Sequence, residues 1–126
     1  MKGQTALEFV MLVAVAFLIL LVYTASTRQD LLVAESAKEH ALVKDLAYSL
    51  QSEINRIGPL ENGYQRTFIL PLTLDGKPYT VQIDKKTIIV NTSDYEYLLS
   101  ILPVTGDFVV GQNTIKKESG EILLNQ

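Results

Sequence analysis

The chain has no cysteine, one histidine, and neither proline nor glycine anywhere from Gln4 to Ile57. Without cysteine there is no disulfide framework, no thiolate metal site and no thiol nucleophile. A small domain must then be stabilised in another way, and burial between subunits is one such way. The histidine, His40, lies among Glu39, Lys44 and Asp45 on the charged side of a helical pattern and reads as a solvated residue. There is no serine–histidine–acid set, no glycine-rich phosphate loop and no HExxH, so no catalytic residue and no cofactor site is assigned. Asp75-Gly76-Lys77 opens like a calcium loop, but the ligands that should follow are missing, so no metal site is assigned either. The net charge is −3 and no basic stripe is present, which argues against a nucleic-acid partner. These absences point to a protein that is not an enzyme.

The missing breakers have a positive meaning. A stretch from Gln4 to Ile57 with no Pro or Gly, closed by Gly58-Pro59, predicts one helix, on the order of 80 Å long at 1.5 Å per residue. Its first half is apolar all round, from Phe9 to Val22. After Arg28 it turns amphipathic, with Leu31, Leu32, Ala34, Ala37, Ala41, Leu42, Leu46, Leu50, Ile54 and Ile57 at helical spacing. The weakest helical patch is Thr24-Ala25-Ser26-Thr27, whose hydroxyls can bond back to the preceding turn. The apolar half is too long to bury in so small a domain. It must lie in lipid or among like helices.

Ahead of that run stands Met1-Lys2-Gly3-Gln4-Thr5-Ala6-Leu7-Glu8-Phe9: a basic residue, a small one, a polar one, then a single acid at the edge of the apolar stretch. A carboxylate within a membrane helix costs roughly 2.5–3.5 kcal/mol on insertion scales, so it tends to mark function. This head resembles the amino terminus of archaeal type IV pilin precursors with a class III signal. The resemblance covers about the first 25 residues closely and the overall layout more loosely.

It implies cutting between Gly3 and Gln4 by a prepilin peptidase, with Lys2, Gly3 and Gln4 as the recognised head and the apolar helix retained. It also implies self-assembly into a surface filament, adhesive in its usual role, driven by a membrane platform and its ATPase. The subunit would be membrane-held before assembly and extracellular afterwards. Glu8 and Phe9 would serve assembly. Cleavage would leave a charged amine on Gln4, about 6 Å from Glu8 by helix rise, and neither charge is tolerable alone in an apolar bundle.

The expected organisation is a leader at 1–3, a membrane or filament-core helix at 4–27, an amphipathic continuation at 28–57 and a β-domain at 58–126. Other readings of the same residues stay open. They are a secretory signal cut near Thr24-Ala25-Ser26, a membrane-anchored protein with a small outer β-domain, and a minor pilin-like accessory subunit.

The last 70 or so residues are marginal for an independent core and should pack on the helix between about Val43 and Ile57. Strands are predicted at Thr67–Leu74, Tyr79–Asp84 and Thr87–Asn91, with turns at Asp75-Gly76 and Lys85-Lys86. Pro71 places the first strand at an edge or at a bulge. Further strand pieces are expected at Tyr97–Leu102, Phe108–Val110, Thr114–Lys117 and Glu121–Leu124, with a turn at Ser119-Gly120. The fold class is α+β: a long N-terminal helix packed by its second half on a small antiparallel sheet, arranged as a meander. Asn91-Thr92-Ser93 is an acceptor triplet for an asparagine-linked glycan. Tyr64, Tyr79, Tyr95 and Tyr97 read either as a contact surface or as sheet packing.

Overall fold

A computed structural model describes residues Met1–Gln126. Helix α1 spans Lys2–Ile57 without interruption, as the lack of breakers predicts. The chain forms two compact units, Met1–Ala37 and Lys38–Gln126.

The first unit is helix. Every residue in it is exposed, including Phe9 to Tyr23 and Leu31, Leu32 and Val33. The hydroxyl-rich patch holds its helix as expected. Thr24 Oγ1 donates to the carbonyls of Leu20 and Leu21 at 2.9 and 3.0 Å, and Thr27 Oγ1 donates to that of Tyr23 at 2.9 Å. Gly3 lies in the first turn, and no proline or glycine follows it in the helix.

The second unit begins with the part of α1 from Lys38 to Ile57 and adds seven strands. These are β1 Gln65–Leu70, β2 Thr80–Asp84, β3 Thr87–Asn91, β4 Glu96–Ser100, β5 Val104–Thr105, β6 Gly111–Glu118 and β7 Glu121–Leu124. They make two sheets instead of one meander. The order β2-β3-β4 is an antiparallel meander, whereas β1-β6-β7-β5 is mixed, because β5 pairs parallel to β7. The fold is α+β, with the helix packed against both sheets.

The core joins one face of each sheet to one stripe of α1. Val43, Leu46, Ala47, Leu50, Ile54 and Ile57 come from the helix at its 3–4 residue period. Leu70, Ile115, Ile122 and Leu124 come from the mixed sheet, and Val81, Ile88 and Val90 from the meander. In β3 the burial alternates, so that Ile88 and Val90 face inward while Asn91 faces out.

The first predicted strand is shorter than expected. It ends at Leu70, and Leu72 is 76% exposed. Pro71 has no N–H to extend the ladder, and the backbone leaves the sheet there. Leu74 re-enters the core and bridges Lys77 through a pair of 2.9 Å backbone bonds around Asp75-Gly76. Positive φ at both central residues (50° and 78°) makes this the turn type that Asp-Gly favours. The turn leads from one sheet to the other instead of closing a hairpin within one. The Tyr79 hydroxyl fastens the crossing by donating to the Pro71 carbonyl at 2.5 Å.

Phe108–Val110 is not a strand. Phe108 is buried, but the backbone of Val109 is taken by Asn113, whose Oδ1 accepts from Val109 N–H at 2.8 Å and whose Nδ2 donates to Val109 C=O at 2.6 Å. Asn113 is itself fully buried and fully bonded, also meeting Gly111 C=O and Asn125 Nδ2. At the other end of the domain, Lys117 Nζ donates to the Gly58 carbonyl at the helix C-terminus, where a cation is favoured.

Candidate functional site

Two regions concentrate chemistry, one in each unit. In the first, Lys2, Gly3, Gln4, Glu8 and Phe9 all lie on exposed helix. The Gly3–Gln4 peptide sits in the first turn, where backbone N–H groups lack helical acceptors. Thr5 Oγ1 bonds back along the same turn, donating to the Met1 carbonyl at 3.0 Å. Met1, Gln4, Thr5 and Glu8 line one shallow cleft, so the residue whose amine cleavage would free shares a face with the acid. From Phe9 to Thr27 there is no charged side chain. At 1.5 Å per residue that is roughly 30 Å, about the hydrocarbon thickness of a bilayer. The helix is long and apolar enough to cross a membrane, and none of its apolar window is buried. Such a helix marks membrane association or a signal sequence.

The second region centres on Glu39. Sequence pattern puts Glu39 on the charged side of the helix, yet it is buried, at 7% exposure. Lys77 Nζ lies 2.5 Å from its Oε2 and 3.2 Å from Asp94 Oδ2, and the Thr92 hydroxyl donates to its Oε1 at 3.0 Å. Hydrogen bonds that Lys77 donates to Glu39 and then to Asp94 push its ammonium pKa up to about 12. Lys38 and Asp75 form a second, exposed pair at 2.8 Å on the same turn. Asp75 and Lys77 therefore serve as ion-pair partners of α1. No signal in the local pattern marks Glu39, because its partners lie 38 and 53 residues away.

Next to this cluster, His40 is exposed, as expected, but it is not isolated. It stands edge-on to Tyr95 and Tyr97, with ring centroids 5.7 and 6.2 Å away, and Tyr97 also meets Tyr48 at 6.3 Å. Such edge contacts are a packing device for aromatic rings. Of the four tyrosines singled out by sequence, Tyr79 is core, and burial raises its hydroxyl above the ordinary value. Tyr95 and Tyr97 are half-buried, and only Tyr64 is exposed. No three His, Cys, Asp or Glu side chains converge to hold a metal ion.

Asn91 ends β3 and is exposed. Thr92 beside it is buried by its bond to Glu39, and Ser93 is exposed again.

No model of a known protein family, no curated protein and no solved structure matches the chain. The architecture itself, a long apolar N-terminal helix followed by small β-sheets, is pilin-like and equally suits a membrane-anchored protein.

Proposed function

We propose that this protein is a structural subunit of an archaeal type IV pilus-like surface filament. The observation that carries the reading is the unbroken helix α1, whose apolar first half is wholly unburied while its second half builds the core of a β-domain. A soluble monomer cannot leave so much apolar surface in water. Lipid before assembly and a bundle of like helices afterwards both remove that surface. In this reading the chain is not an enzyme. Its partners are copies of itself or related pilins, a prepilin peptidase acting at Lys2-Gly3-Gln4, and a membrane platform with an assembly ATPase. It is held in the cell membrane as a precursor and becomes extracellular when assembled.

Glu8 sets the register. Within an apolar bundle its carboxylate and the amine of Gln4 neutralise each other, in one subunit or between neighbours, and a misplaced subunit leaves a charge unpaired. Replacement of Glu8 tests this. Glu8→Gln and Glu8→Leu should leave the protein folded and in the membrane but lower the filament yield seen by electron microscopy of sheared cell surfaces. Normal filaments from the Leu variant would make the carboxylate a bystander at headgroup level. Lost cleavage in the Gln variant would move its role to the peptidase. A membrane-anchored binding module is the second reading. It is favoured by the self-contained core of Lys38–Gln126, and a membrane-bound protein with no filaments in any shear fraction would select it.

A further inference from the structure

We propose that Asn91 carries an asparagine-linked glycan and that the first sugar seats in the cleft beside it. The inference rests on the export reading above, because the β-domain must reach the outer side of the membrane to meet the sugar donor.

Asn91-Thr92-Ser93 is the chain's one Asn-x-Ser/Thr triplet. The fold pins its middle residue and presents the two residues that such a site needs. The Thr92 hydroxyl donates to Glu39 Oε1 at 3.0 Å and accepts the Tyr95 N–H at 3.1 Å, while the Thr92 N–H donates to the Tyr95 carbonyl at 2.8 Å. Thr92 is thus buried and fixed, and Asn91 and Ser93 are exposed on either side of it. Asn91 lies on the solvent face of the meander, opposite exposed Thr80 on β2 and exposed Glu96 on β4. A cleft of about 290 Å³ adjoins it, lined by Pro78, Tyr79, Thr80, Asn91, Thr92 and Ser93. Its accessible walls are mainly apolar, which suits the apolar face of a sugar ring.

The co-reactant is a sugar carried on a lipid phosphate, supplied by a membrane-bound transferase. Nδ2 of Asn91 attacks the anomeric carbon, a new N–C bond forms, and the bond from that carbon to the phosphate oxygen breaks. The lipid phosphate leaves with the electron pair, the amide loses one proton to a base of the transferase, and nothing is oxidised or reduced.

The test is mass spectrometry of the protein purified from membrane and shear fractions of its own cells. Tryptic cleavage puts Asn91 in the peptide Thr87–Lys116. That peptide should be heavier by whole sugar residues. Asn91→Gln and Ser93→Ala should each abolish the added mass, and Ser93→Thr should keep it. Amide hydrogen exchange at Tyr79 and Thr80 should be slower in the glycosylated protein than in Asn91→Gln. Unchanged exchange there, with Asn91 occupied, would overturn the seating. Unmodified Asn91 in protein that added protease can reach on intact cells would overturn the glycan while leaving export intact. Unmodified protein that protease cannot reach would overturn both. A glycosylated protein in cells without filaments would keep this inference and overturn the filament reading.

Discussion

Lys77 Nζ sits 2.5 Å from Glu39 Oε2, and this contact ties the turn between the two sheets to the helix that both sheets cover. Glu39 is enclosed and Lys77 is half in water, so the pair is asymmetric. Losing the cation strands a buried carboxylate, whereas losing the acid frees an amine that water can solvate. Lys77→Met should therefore lower the thermal midpoint of the detergent-solubilised chain at neutral pH more than Glu39→Gln does. Equal effects would show that Glu39 is hydrated.

The same pair predicts an alkaline dependence. The folded state holds Lys77 near 12, against 10.5 ordinarily, so it binds a proton that the unfolded chain gives up earlier. Its contribution is whole below about pH 10.5 and is lost as pH rises towards 12. Tyr79, raised by burial, adds a loss of the same sign above the ordinary tyrosine range. The difference in stability between wild type and Glu39→Gln should shrink across this window, because Tyr79 is common to both. A constant difference in urea titrations from pH 9 to 12 would refute the assignment.

The β-strands should not fold without the helix. α1 supplies Val43, Leu46, Ala47, Leu50, Ile54 and Ile57 to the shared core, and Leu50 is completely buried. Leu50→Ala should cost about 2–5 kcal/mol, and Leu50→Asp more. A fragment from Lys38 to Gln126 should unfold cooperatively in urea, and one starting at Gly58 should show no transition. A cooperative transition in the shorter fragment would contradict this account of the core.

Gly106 is required for two reasons at once. Its φ is +104°, and a Cβ placed there would stand 2.1 Å from the Leu124 carbonyl oxygen. Backbone cannot move aside as a side-chain tip can, and a side chain is strained at that φ. Gly106→Ala should destabilise the domain by several kcal/mol and loosen the parallel β5–β7 pair. Gly120→Ala, with positive φ but open space, should cost about 1 kcal/mol. Similar midpoints for the two variants would remove the steric argument.

Much of this fold is legible locally. The helix needs only the missing breakers up to Gly58, and β3 and β7 fall where alternation and the Lys85-Lys86 and Ser119-Gly120 turns put them. What escapes sequence reading depends on distant partners. Phe108–Val110 has strand-like residues, but Asn113 captures its backbone. β5 is a two-residue strand that exists because β7 runs beside it. Leu72 has the right parity for the core, but Pro71 has already ended the ladder. Glu39 looks solvated until Lys77 and Thr92 arrive from other elements. Near the amino terminus, by contrast, Lys2, Gly3, Gln4, Glu8 and Phe9 are as exposed as their sequence suggests, and the role proposed for them rests on contacts with other molecules.

The most direct measurement is the intact mass of the protein in filaments sheared from its own cells. The account predicts a chain that begins at Gln4 and keeps the apolar stretch from Phe9 to Val22, together with any modification confined to the β-domain. A chain that begins beyond Ala25, or a shear fraction from which the protein is missing while filaments are present, would contradict it.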